Sequence, residues 1–125
     1  MIWVDLLYDS NTVSACNKTH SGDFIRMLLH SKGRSVEISN DNVFSALNTA
    51  YSTDGIAVKI AAGKTLSKPL EIINIQMGES VISNTRNVII AEGSSSAHIV
   101  IGYYSKDAHQ CFSNVISEIT VGANA

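Results

Sequence analysis

The sequence predicts a mostly β chain built as a parallel β-helix, and three observations predict it. Of 125 residues, 15 are Ile and 10 are Val, while only 16% are charged. Such β-branched, charge-poor composition suits a pleated, buried surface. From Asp54 onward the helical period disappears and five short apolar segments follow one another. Glycines close three of them, Gly63, Gly93 and Gly122, at separations of 30 and 29 residues, with Gly78 midway between the first two. A fixed period of this size is the mark of a stacked array, and short strands with no intervening helices make that array a parallel β-helix.

The chain divides near Thr53 into a small α/β lead-in (residues 1–53) and the first rungs of the β-helix (residues 54–125). In the lead-in, Ile2 to Leu7 read as a strand and Asp9-Ser10-Asn11 as a turn. Ser21-Gly22-Asp23 precedes a helical pattern from Phe24 to His30, ended by Lys32 and Gly33. Val36 and Ile38 suit a brief strand. Asn40 or Asp41 is positioned to cap a second helix, whose Val43, Phe44, Leu47, Ala50 and Tyr51 form one apolar face.

In the second part the expected strands are Ile56 to Ala61, Leu70 to Met77, Val88 to Ala91, Ala97 to Tyr103 and Val115 to Val121. Pro69 stands at a strand start, where its missing N–H costs least. Val88-Ile89-Ile90-Ala91 is apolar without alternation, as expected of burial on both faces. Aligned on glycine, Ile60, Ile90 and Ile119 each stand three residues earlier and are expected to stack, with glycine supplying a positive φ at each corner.

Composition also excludes functions. No apolar run is long enough for a membrane-spanning helix, and Met1-Ile2-Trp3-Val4-Asp5 lacks the basic start of a signal peptide. A cytoplasmic location is expected. Net charge −2 and a pI near 6.0 argue against a general nucleic-acid binder. Cys16 and Cys111 lie 95 residues apart, form no metal-binding pair, and are expected to pack as buried free thiols.

Phe44-Ser45-Ala46-Leu47-Asn48-Thr49-Ala50 and Thr53-Asp54-Gly55 resemble the entry to the core of the SufB/SufD scaffold family of Suf iron–sulfur cluster assembly. The resemblance, closest to the SufD branch, continues through Lys68-Pro69-Leu70, Arg86-Asn87-Val88-Ile89-Ile90-Ala91-Glu92 and Glu118-Ile119-Thr120-Val121-Gly122-Ala123-Asn124-Ala125. It covers about residues 44–125 and fits the earlier residues loosely. It implies a right-handed parallel β-helix and a non-catalytic scaffold that works with a SufB-like scaffold and a SufC-like ABC ATPase. It implies no cofactor in this segment: the cluster is handled transiently by the full assembly, and ATP is bound by the SufC-like partner. Family members are longer, so the resemblance places the later rungs, their Cys and His residues and the SufC-gripping helical segment beyond Ala125. A solenoid ending there is expected to self-associate through exposed strand edges.

No residue is assigned a catalytic, cofactor-binding or metal role. His109-Gln110-Cys111 is the one close His/Cys pair; a metal would need further ligands, and the expectation is a rung-edge histidine beside a small buried thiol. His98 is expected to face solvent. Asp54-Gly55 reads as a turn, and Ser94, Ser95 and Ser96 as a polar corner without a nucleophile elbow. Arg86 and Glu92 are placed to pair on one face. The glycines form no phosphate loop. A carbohydrate-active β-helix of the pectate-lyase type is the alternative, disfavoured because Glu71, Glu79, Glu92, Asp107 and Glu118 are scattered. A structural solenoid piece without activity is the third reading.

Overall fold

The structure, a computed structural model, describes residues 2–4, 13–17, 42–52, 54–107 and 110–125. Strands dominate: β1 (Ile2–Val4), β2 (Val13–Asn17), β3 (Asp54–Ile60), β4 (Leu70–Met77), β5 (Ile82–Ala91), β6 (Ile99–Lys106) and β7 (Phe112–Val121), with helix α1 (Val43–Tyr51) before β3. The expected helix from Phe24 to His30, the strand at Val36 and Ile38, and the turn at Asp9-Ser10-Asn11 lie outside the described residues.

Successive strands from β3 onward alternate between two sheets. One has the order β2-β3-β5-β7 and the other β1-β4-β6. Pairing among β3, β5 and β7, and between β4 and β6, is parallel. The short β1 and β2 join antiparallel, β1 on β4 and β2 on β3. An isolated parallel bridge links Thr65 and Ser96 between the two sheets. It is held by Leu66 N to Ser96 O (2.8 Å) and Ser96 N to Lys64 O (2.9 Å).

The register corrects the spacing. Ile60 pairs with Ala91 and Ala91 with Val121, so the repeat is 31 and then 30 residues. The stacked columns are therefore Val58–Ile89–Ile119 and Ile60–Ala91–Val121, and not the three isoleucines aligned on glycine. Three equivalent corners follow these columns. Lys64 N bonds Ala61 O (3.2 Å), Ser95 N bonds Glu92 O (3.1 Å), and Ala125 N bonds Gly122 O (3.2 Å). The third residue of each turn has positive φ: Gly63 (69°), Ser94 (57°) and Asn124 (59°). A left-handed residue at that position satisfies a tight turn, and among the three expected glycines only Gly63 occupies it. At Gly93 and Gly122 the role has passed to the next residue or the next but one.

Asp54 and Gly55 open β3 and do not form a turn. Gly55 is required by close approach: a Cβ there would stand 2.0 Å from the Arg86 carbonyl oxygen on the neighbouring strand. β4 matches its expected span, directly after Pro69. β5 starts six residues before the expected Val88.

Strand parity sends one set of side chains between the sheets. Ile56, Val58, Ile60, Leu70, Ile72 and Ile89 are buried there with Leu66, and Ile99 and Ile101 pack against them. This apolar cluster lies where β3 ends and β4 begins. At the other end of the same strands the inward positions are Asp54, Thr85, Asn87, Asn74, Gln76 and Tyr103. The space between the sheets thus changes from apolar to polar along the strand direction.

Helix α1 lies on the outer side of the β5–β7 pair. Its cap is Asn42, whose side chain accepts from Phe44 N (2.9 Å); Asn40 and Asp41 are not the cap. Its expected apolar face is turned out: Val43, Phe44 and Tyr51 are exposed, and Asn48 is the helix residue that is buried. The reason is what the helix rests on. Asn48 Nδ2 donates to the carbonyls of Thr85 (3.0 Å) and Asn114 (2.9 Å), so a polar residue anchors it.

Candidate functional site

Two features carry chemistry: a polar cleft between the sheets and an open edge at β6 and β7. The cleft measures about 130 Å³. Its wall is supplied by Asp54, Asn74, Gln76, Thr85, Tyr103 and Ser105, with Ser83 and Ser113 beside them. All eight have inward parity on their strands. Ser83 Oγ and Thr85 Oγ1 are 3.1 Å apart, and Asp54 Oδ1 accepts from Gly55 N (2.9 Å). None of the residues that line the cleft is basic.

Buried amides stand behind and within this wall. Asn74 is 7% exposed; its Nδ2 donates to the Gly102 carbonyl (3.3 Å), and its Oδ1 has no hydrogen-bond partner. Asn87 is fully buried, with long contacts of 3.4 Å from Nδ2 to Tyr103 Oη and to Ser117 Oγ, and its Oδ1 is also unpartnered. Burial pushes the Tyr103 phenol above its ordinary value of 10.0, opposed in part by the Asn87 hydrogen bond. Tyr103 is therefore a neutral O–H group at physiological pH.

The outer face of the β5–β7 pair holds a second polar network. Arg86 donates from Nε and Nη2 to Glu118 Oε1 and from Nη1 to Thr49 Oγ1 (3.2 Å) on α1. Asn114 Nδ2 donates to Asn84 Oδ1 (3.1 Å) and to the Phe44 carbonyl (2.8 Å). Arg86 does not pair with Glu92 as expected from their shared strand. Glu92 instead takes Lys59 (2.8 Å) and the amide of Ala62 (3.1 Å). These contacts lower its carboxyl below the ordinary 4.5, the Lys59 hydrogen bond most and the Ala62 amide next.

Among the described residues β7 ends one sheet and β6 the other, and their outer edge is open. Ile119 and Val121 have the parity of core residues yet are 63% and 60% exposed. Phe112, at the start of β7, faces Phe44 of α1 with ring centroids 6.3 Å apart.

The remaining sequence candidates do not converge. Cys111 is exposed and not buried, because it follows Gln110 (φ 62°) in the turn before β7. His109 and the side chain of Cys16 lie outside the described residues. His98 is exposed just before β6, as expected. Ser94 to Ser96 form a corner, with Ser95 buried. Among the described residues no three His, Cys, Asp or Glu side chains gather as a metal-binding group, and no helix is long and apolar enough to cross a membrane. The cleft escaped sequence reading because its residues come from five strands whose register sets them together. The available signal was the polar run Asn84-Thr85-Arg86-Asn87 within a β segment. No protein-family model matches the chain, and no curated protein matches it.

Proposed function

We propose that this chain is a non-catalytic scaffold of the SufD type in iron–sulfur cluster assembly, built as the first rungs of a right-handed parallel β-helix. The observation that carries this reading is the recurrence of one corner, with the same turn hydrogen bond and a left-handed third residue, in step with a 31- and 30-residue register. Parallel strands that alternate between two sheets, with the Thr65–Ser96 bridge between them, are what a coiled solenoid requires. Right-handed crossover follows from strand twist. The motifs from Phe44 to Ala125 that resemble the SufB/SufD family run through these same rungs.

On this reading the chain works in the cytoplasm with a SufB-like scaffold and a SufC-like ATPase that binds the ATP. The open edge also gives it a tendency to pair with itself. Among the described residues no strand lies beyond β7, and Ile119 and Val121 expose core-parity side chains there that another strand covers by β-augmentation. In isolation at about 50 μM, sedimentation is expected to show dimers or larger species, and a monomer would count against edge pairing. The test of the scaffold itself is retrieval: the gene product, tagged at its own locus, should bring down SufB- and SufC-like proteins together. Their absence would overturn the assignment.

A further inference from the structure

We propose that the polar cleft between the sheets is a binding site for a neutral polyol, either a free sugar-sized molecule or the terminal residue of a glycan chain. The proposal stands apart from the scaffold reading and rests on the cleft alone. Three observations carry it.

The first is the donor set. Ser83, Thr85, Tyr103, Ser105 and Ser113 offer hydroxyls, Asn74 and Gln76 offer amides, and Asp54 offers a carboxylate. Hydroxyls and amides both donate and accept, as the vicinal hydroxyls of a polyol do. The second is charge. With one carboxylate and no basic side chain along its wall, the cleft disfavours phosphates and other anions. The third is an unmet requirement. Asn74, more than nine-tenths buried at the wall of the cleft, keeps an acceptor oxygen without a donor. That oxygen is hidden from solvent as it stands; an unpaired buried acceptor is unfavourable, so the protein gains when the Asn74 side chain turns to take a hydroxyl held in the cleft. Size limits the occupant. Sites for drug-sized ligands span roughly 300–1,000 Å³, and this smaller cleft suits one ring.

The experiment is a titration of the isotopically labelled protein followed by amide NMR, with D-glucose, myo-inositol and maltotriose as probes. Sodium phosphate and choline chloride serve as anionic and cationic comparisons. The expected result is saturable shifts at Asn74 to Gln76, Thr85 and Tyr103 to Ser105 with a polyol, at an affinity of about 1 mM. Tyr103→Ala should weaken it about tenfold. Should that variant lose its dispersed spectrum, Ser113→Leu, which fills the cleft from the edge strand, is expected to abolish binding while the spectrum stays dispersed. Tighter binding of maltotriose than of glucose assigns the site to a glycan end, and equal binding assigns it to a free polyol; either upholds the class. No saturable shift with any polyol to about 50 mM, tighter binding of phosphate or choline, or full binding by Ser113→Leu overturns the proposal.

Discussion

The two ends of the inter-sheet space share one backbone ladder and have opposite contents. At one end Ile56, Val58, Ile60, Leu70, Ile72 and Ile89 close into a cluster that is almost entirely hidden from solvent. At the other, a few residues along the same strands, Asp54, Asn74, Gln76, Thr85 and Tyr103 line a cleft. The parallel pairing of β3 with β5, and of β4 with β6, runs through both without a break. Backbone hydrogen bonding therefore does not distinguish the ends; side-chain burial does. The apolar end supplies the free energy that holds the sheets together, since apolar area removed from water contributes about 25 cal/mol per Å². The polar end contributes little of that and leaves hydrogen-bonding capacity unused.

The largest effect that would break this comparison comes from the apolar end. Ile72→Ala or Ile60→Ala should destabilise the protein by about 2–5 kcal/mol, whereas Gln76→Ala, two pleats further along the strand from Ile72, should stay within about 0.5 kcal/mol. Urea unfolding of the three variants measures both, and equal losses would erase the distinction. Next comes the outer network, where Arg86 and Asn114 find partners and Asn48 is bonded through its Nδ2 alone. Glu118→Ala leaves the Arg86 guanidinium, 11% exposed as a side chain, without its carboxylate. The expected loss is about 3 kcal/mol, and the double change Arg86→Met with Glu118→Leu should recover most of it. A smaller loss, about 1–3 kcal/mol, is expected for Asn48→Ala, which removes the amide that two strand carbonyls share. Thermal melting of these variants shows whether this buried polar network supports the fold.

The smallest effect is electrostatic and exposed. The Glu92 carboxyl is held below 4.5, so the stability it contributes is complete above the unfolded value and is lost as pH falls through the folded one. Carbon-detected titration should find the Glu92 midpoint below 4.5 and find it moved upward, though not fully, in Lys59→Ala, because the Ala62 amide remains. An unchanged midpoint would remove Lys59 as the main cause.

These contrasts also mark what was legible in the sequence. Leu70 to Met77 could be read to the residue because Pro69 fixes its start and its inward positions are apolar up to Asn74. β5 begins six residues before its apolar run Val88 to Ala91, a start the sequence hides because Asn84, Thr85, Arg86 and Asn87 carry no apolar signal. All four are strand residues: Asn84 and Arg86 are answered across the sheet or by α1, from partners about 30 residues away or more, while Thr85 and Asn87 face the space between the sheets. The inverted face of α1 has the same origin: apolar spacing implies an apolar bed, and the bed is made of strand carbonyls and Asn114. The repeat was visible, but its phase was not. Glycine marks the corner region, while Ser94 and Asn124 also adopt the left-handed conformation that the turn needs.

Native-state amide hydrogen exchange tests the division of the interior most directly. The amides of β3 and β4 should exchange at the rate of global unfolding beside the apolar cluster, at Val58, Ile60 and Ile72. Beside the cleft, the amides of Asn74 to Met77, and that of Thr85 on β5, should exchange at least about tenfold faster through local opening. Uniform protection along these strands, or slower exchange at the cleft end, would contradict an interior held by one half and left open at the other.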